Sequence, residues 1–217
     1  MSVQLTGPSL KPASGKKPTR LVVLLHGVGA DGNDLIGLAP AWAPILPGTE
    51  FLAPDGPAPC DMAPFGRQWF SLLDRSPAAM LAGVKATAPI LDGFLDAALA
   101  ERGLDDSKLA LVGFSQGTMI SLYTGPRRAK PCAGIVGYSG ALVGAALLAV
   151  EIRSRPKVLL VHGEADPVVP FAAMANAEKA LKAVGVAVET LNCPGMGHSI
   201  DENGLRRGGE FLRAALS

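Results

Sequence analysis

Histidine and cysteine are scarce in this chain, with 3 of each among 217 residues. The cysteines, Cys60, Cys132 and Cys193, are odd in number and far apart, without the spacing that holds zinc or frames a disulfide scaffold. They read as reduced thiols of a reducing, cytoplasmic setting, and no metal site is expected. Charge of one sign is also missing: 20 basic and 19 acidic residues leave a formal net charge of +1. That balance lacks the electrostatic footprint of a nucleic-acid or anionic-membrane binder. The only basic knots, Lys16-Lys17 and Arg127-Arg128, read as solvated loops. The N-terminus, Met1 to Thr6, has no basic-then-apolar pattern, so no signal peptide is expected. One uncharged stretch, Cys132 to Val150, is long enough to suggest a membrane span. Gly134, Gly137, Gly140 and Gly144 punctuate it, and Tyr138-Ser139-Gly140 breaks it in the middle. A buried strand, a turn and a short helix over Gly144 to Val150 fit it better, so no stable membrane insertion is expected.

What the chain does contain is apolar residues, 48% of the total, enough for one sizeable core and too short a length to favour two. A single domain over residues 1–217 is expected. Short Val- and Leu-rich runs alternate with helical segments. Strands are expected at Thr19–Leu25, Glu50–Ala53, Leu109–Phe114, Gly134–Ser139, Lys157–His162 and Ala187–Cys193. Several lack polar alternation, as strands covered on both faces do. Helices are expected at Asp34–Trp42, Pro77–Arg102, Gln116–Tyr123, Phe171–Val184 and Leu205–Leu216. Pro89 should kink or break the second, and Gly103 should end it. The alternation implies an α/β fold, a mostly parallel central sheet with helices on both faces, whose chemistry gathers at the carboxyl ends of the strands. Pro54–Asp61, rich in proline, reads as a long irregular loop at such an end.

The chemistry centres on Gly113-Phe114-Ser115-Gln116-Gly117-Thr118, which follows the apolar run Leu109–Val112. G-x-S-x-G between a strand and a helix is the context of a nucleophile elbow, with Ser115 held on a tight turn and its hydroxyl above the sheet. A serine needs a base, and the base a carboxylate. On such a sheet the chain order is serine, acid, histidine. His198, in Gly195-Met196-Gly197-His198-Ser199, is the histidine that leaves room for a carboxylate between. His26 and His162 each precede a glycine at a strand end and read as structural loop residues. For the acid, Asp166 in Gly163-Glu164-Ala165-Asp166-Pro167 lies on the same carboxyl edge, with Glu164 and Asp201 as competitors. Asp201 also reads as the cap of the last helix, and Asp31 and Asp34 as turn and cap residues. An oxyanion hole needs two amides. That of Gln116 is one candidate, and that of Val28, in the glycine-rich turn Leu25-His26-Gly27-Val28-Gly29-Ala30, is the other. Those glycines lack the third member of a dinucleotide fingerprint.

LHGVGADGNDL (25–35), GFSQGT (113–118), HGEADPVVP (162–170) and GMGHSI (195–200) together resemble the carboxylesterase and phospholipase family of α/β-hydrolases, which includes the acyl-protein thioesterases. The similarity runs from about residue 19 onward. It implies the α/β-hydrolase fold, Ser115 as nucleophile, Asp166 as acid, His198 as base, and the Val28 and Gln116 amides as the oxyanion hole; the short span from Ser139 to Lys157 leaves no room there for a large cap domain. The resemblance also implies no cofactor, a small-molecule ester or thioester substrate, and allows a homodimer. Arg67-Gln68-Trp69-Phe70 is similar to the family's segment beside the acyl site, so Trp69 and Phe70 are expected at the pocket, with Met62, Leu72 and Leu73 on the same wall. One departure stands out: the family usually has a second glycine where this chain has Thr118, which should crowd the elbow helix against the neighbouring strand. A carboxylesterase acting on short- to medium-chain esters is expected. The competing readings are a thioesterase or lysophospholipase for long acyl chains, and a non-catalytic ligand-binding relative.

Overall fold

The computed structural model describes residues 4–217. Among the described residues nine strands form in order: β1 (Ser9–Leu10), β2 (Arg20–Leu25), β3 (Thr49–Leu52), β4 (Ala58–Pro59), β5 (Arg67–Gln68), β6 (Leu109–Phe114), β7 (Gly134–Tyr138), β8 (Lys157–Gly163) and β9 (Val188–Cys193). The helices are α1 (Gly32–Ile36), α2 (Ala39–Trp42), α3 (Pro77–Arg102), α4 (Gln116–Thr124), α5 (Leu148–Glu151), α6 (Ala172–Ala183) and α7 (Glu202–Ala215). Seven strands pair in the order β1-β3-β2-β6-β7-β8-β9. All neighbours are parallel except β1, which runs antiparallel to β3.

The unbroken apolar runs of the strands divide residue by residue between two cores. Leu21, Val23 and Leu25 of β2 join Leu109 and Leu111 of β6 on one face, under α3, α4 and α6. Val22 and Leu24 join Ala110 and Val112 on the other, with Trp42 of α2 and Phe211 and Leu212 of α7. Because successive strand side chains point to opposite faces, a sheet covered on both sides needs apolar residues at every position. Each such side chain, fully buried, contributes about 1.5–3 kcal/mol.

Four expectations need correction. Pro89 does not break α3, which runs unbroken from Pro77 to Arg102. Pro89 and Lys85, the residue whose carbonyl loses its donor, both lie on the exposed face, where that carbonyl is open to solvent. Asp34–Trp42 is two short helices, since Pro40 has no N–H for the Ile36 carbonyl. The last helix starts earlier than Leu205, because Asp201 caps it by accepting from the Gly204 N–H at 2.7 Å. Residues 54–61 are not wholly irregular: β4 pairs antiparallel with β5. Other boundaries fall within one residue of expectation, with β1 in addition. Ser76 caps α3, and Gly103 ends it at φ 65°.

The uncharged stretch 132–150 resolves into β7, a turn and a single 3-10 turn leading into α5. Between β7 and β8 there is therefore one short helical segment and no cap. Helix α3 is long and apolar enough to cross a membrane, but here Val84, Thr87, Leu91, Leu95 and Ala98 form a buried stripe against the sheet. The three cysteines are free and buried, and burial pushes the Cys132 thiol up to about 12 and that of Cys193 to about 11.

Candidate active site

Ser115 joins β6 to α4 at φ 53° and ψ −113°, a conformation that L residues rarely adopt. The turn is this tight because its glycines are pressed against backbone. A Cβ on Gly117 would sit 1.7 Å from the Leu25 carbonyl oxygen, and one on Gly113 only 2.4 Å from Gly117. Helix α4 can therefore seat its first turn directly on the end of β2. The Ser115 amide donates to the Tyr138 carbonyl at 2.9 Å, tying the turn to β7. Thr118 does not jam the helix against that strand. Its methyl faces Gly137 and its Cβ faces Gly140, two positions where a Cβ would come within 2.7 and 2.3 Å of it. Its hydroxyl lies 2.8 Å from the carbonyls of both Gly113 and Tyr138. The space that a glycine would leave on the helix is supplied by one glycine on the strand and one just beyond its end.

Asp166 and His198 meet across two loops. Asp166 Oδ2 accepts from His198 Nδ1 at 2.8 Å, and Oδ1 accepts from the Val168 and Val169 amides at 2.8 and 2.9 Å. Burial raises the Asp166 carboxyl, but the His198 hydrogen bond and the two amides outweigh it and hold the group below the usual carboxylate range. The competitors lie elsewhere: Glu164 is exposed, and Asp201 caps α7. Gly163 lets the two loops touch, since a Cβ there would be 2.2 Å from the Met196 carbonyl. The His198 ring packs on Phe114, the residue before Ser115, with 4.8 Å between ring centres.

The glycine-rich turn after β2 lies beside the same serine, the Gly27 Cβ position being 3.4 Å from Ser115 Cβ. His26 anchors this turn: Nδ1 donates to the Gly27 carbonyl and Nε2 accepts from the Gly56 amide. Burial lowers its pKa, which suits a neutral, structural imidazole. Gly29 N donates to the Arg67 carbonyl, and Arg67 N returns a bond to Ala30. Among the described residues, the amides of Val28 and Gln116 donate to no protein acceptor.

The expected pocket residues separate. Trp69 is a core residue, 1% exposed, with its indole N–H on the His26 carbonyl. Its amide donates to Gln116 Oε1, while Gln116 Nε2 donates to the Phe70 carbonyl. Trp69 thus supports the glycine-rich turn from below instead of walling a pocket. Phe70 and Leu72 are also buried, whereas Met62 and Leu73 are exposed. The Gln116 side-chain clamp on residues 69–70 was not read from the sequence, where only its amide drew notice. Nor was the placement of His162. It lies within β8, not in a loop, and its Nε2 is 3.3 Å from Asp166 Oδ2. The four-residue spacing to Asp166 was the available signal. A trench of about 910 Å³ between residues 4–8 and α3 contains none of these residues. Among the described residues, no group of three or more His, Cys, Asp or Glu side chains is arranged to hold a metal.

Residues 12–216 match the Phospholipase/Carboxylesterase family model. The chain is 28% identical over 202 residues to esterase YpfH of Escherichia coli strain K12, covering 93% of this chain and 85% of that protein. It is 27% identical over 210 residues to acyl-protein thioesterase 1 of Neurospora crassa, covering 88% and 84% of the two chains. The crystal structure of esterase PE8 superposes with a TM-score of 0.95 at 44% identity, over 99% of this chain and 100% of that one. The sheet order, the helices on both faces and these matches identify the α/β-hydrolase fold, and the chain belongs to the phospholipase/carboxylesterase family of esterases and thioesterases.

Proposed function

We propose that this chain is one domain working as a serine carboxylesterase, hydrolysing short- to medium-chain carboxylic esters through an acyl-enzyme on Ser115. The observation that carries the reading is the 2.8 Å bond from His198 Nδ1 to Asp166, in a ring packed against the residue before the strained Ser115. A carboxylate oxygen only accepts, so the His198 proton sits on Nδ1, and Nε2 keeps a lone pair for the serine proton. Ser115 Oγ attacks the ester carbonyl carbon while Nε2 takes the hydroxyl proton, and the carbonyl π pair moves onto oxygen. The unpartnered amides of Val28 and Gln116 are available to that oxyanion. Collapse breaks the ester C–O bond, the departing alcohol takes the proton from Nε2, and the acyl group remains on Ser115. Water then repeats the sequence, giving its proton to Nε2 and releasing the acid as Oγ is reprotonated. Asp166 stays ionised throughout and orients the ring. A fluorophosphonate probe is expected to label one serine, mapped by peptide sequencing to Ser115. Undiminished labelling of Ser115→Ala would overturn the assignment.

A second reading, a thioesterase or lysophospholipase for long acyl chains, is favoured by four exposed apolar side chains on the surrounding loops. Met62, Phe65, Leu73 and Val168 are 45, 73, 71 and 52% exposed. The name of the Neurospora crassa relative points the same way. A series of p-nitrophenyl and thioester substrates separates the two readings. Each truly buried methylene contributes about 0.8 kcal/mol, close to fourfold in kcat/KM. With no cap between β7 and β8, the gain is expected to flatten after a few carbons. A steady climb to palmitoyl substrates below their micelle concentration would favour the second reading.

A further inference from the structure

Beyond the three residues of the proposed triad, a buried histidine stands behind its acid. His162, the penultimate residue of β8, is 1% exposed. Its Nε2 lies 2.9 Å from the Val169 carbonyl oxygen. A carbonyl only accepts, so the proton is on Nε2 and the bond runs from His162 to Val169. The same Nε2 is 3.3 Å from Asp166 Oδ2, near enough for the positive end of the N–H dipole to attract the carboxylate while the hydrogen bond itself goes to Val169. Val169 is also the residue whose amide donates to Asp166 Oδ1 at 2.9 Å. One imidazole therefore holds the carbonyl of the peptide unit following Val169, whose own N–H holds the acid, and faces the oxygen that receives His198. Its own position is fixed by the strand and by the edge-on Phe171 ring, 6.0 Å away at 78°.

We infer that His162 is a positioning residue, which keeps the Asp166 carboxylate aimed at His198 by clamping residues 166–169. The inference rests on the triad reading above. Its action passes through Asp166 alone, which gives it a signature that simple packing lacks. A displaced acid lowers turnover by mis-setting the base, and a shift of about 1 Å at a catalytic group can cost a hundredfold.

The test compares His162→Gln with His162→Asn in the full chain, with kcat and KM measured on a p-nitrophenyl ester. A Gln amide reaches the position of the imidazole Nε2; an Asn amide reaches only that of Nδ1. The Asn variant is expected to lose about 10–100-fold in kcat with KM nearly unchanged, and the Gln variant to recover most of that loss. In an Asp166→Asn background neither change should lower kcat further, because effects acting through one residue do not multiply. Equal losses in Gln and Asn, or losses that multiply in the Asp166→Asn background, would show a packing role and overturn the inference while leaving the triad intact. If Asp166→Asn alone retains wild-type kcat, the triad reading fails, and His162 fails with it. Should the Asn variant not fold, His162→Leu, which keeps the bulk and loses the donor, takes its place: its loss in kcat should vanish in the Asp166→Asn background, and a loss that multiplies there overturns the inference.

Discussion

Two serines end neighbouring parallel strands with the same backbone device and opposite surroundings. Ser115 after β6 has φ 53°, and Ser139 after β7 has φ 45°. Each donates its amide at 2.9 Å to the next strand, Ser115 to Tyr138 and Ser139 to Val161. At Ser115 the turn is enforced by backbone packed on glycines, and a helix follows whose first amides are free. At Ser139 the residue is fully buried and its hydroxyl donates to the Ser199 carbonyl, beside His198. The left-handed turn is thus a way of halting a strand and projecting a hydroxyl. Whether that hydroxyl reacts or tethers depends on what faces it.

The largest expected separation between the two turns is in turnover. Ser115→Ala should lower kcat by about four to six orders of magnitude, because the members of the proposed triad act as a unit. Ser139→Ala should cost no more than about tenfold, in keeping with the loss of one tether to the His198 loop. Comparable losses in steady-state kcat would dissolve the distinction.

The next difference concerns what locks each turn. Gly117→Ala drives a methyl into the Leu25 backbone, so a loss of several kcal/mol or failure to fold is expected. Gly140→Ala meets chiefly the Thr118 side chain, with the Ser115 carbonyl oxygen 2.9 Å away, and should cost about 1–3 kcal/mol. Thr118→Gly should recover most of that second loss and none of the first. Urea unfolding of the single and double variants measures both.

Acid should sharpen the contrast more gently. The folded-state pKa of Asp166 is depressed, so its stabilisation is complete above the unfolded value of about 3.9 and is lost as pH falls through the lower folded one. Glu50, buried against Arg102 and Lys11, behaves in the same sense: burial raises its pKa, but the two cations overcome that and lower it. Below about pH 4, hydrogen-exchange protection, corrected for the intrinsic rate, should fall at the Val168 and Val169 amides, which Asp166 holds, before it falls at the Ser115 amide, which a backbone carbonyl holds. Simultaneous loss of protection would indicate that the loops and the elbow open together.

The smallest effect is expected from Ser139→Gly. It relieves left-handed strain worth about 1 kcal/mol and removes a long 3.4 Å hydrogen bond of similar worth, so thermal unfolding should shift by only a few degrees. A large destabilisation would mean that the Ser139 hydroxyl matters more to the His198 loop than its length suggests.

Much of this was legible in the chain itself, for local reasons. Unbroken apolar runs at Leu21–Leu25 and Leu109–Val112 dictate strands buried on both faces, and the helices between them dictate a parallel sheet. Gly113, Ser115 and Gly117 encode the elbow because only glycine tolerates the close approach on either side of the serine. Asp201 and Gly103 mark helix ends through capping chemistry that reaches only a few residues along the chain. Tertiary structure alone decided the rest, since the deciding contacts join residues far apart in sequence. Trp69 was expected at a pocket, but the carbonyl of His26 and the side chain of Gln116 draw it into the core. Thr118 was expected to crowd a strand, but Gly137 and Gly140 stand opposite it. Asp166 is the carboxylate bonded to His198 because Gly163 allows two loops, separated by some thirty residues, to pack backbone to backbone. Periodicity and capping are properties of neighbours along the chain, whereas the partner of a side chain is settled only when the sheet brings its strand ends together.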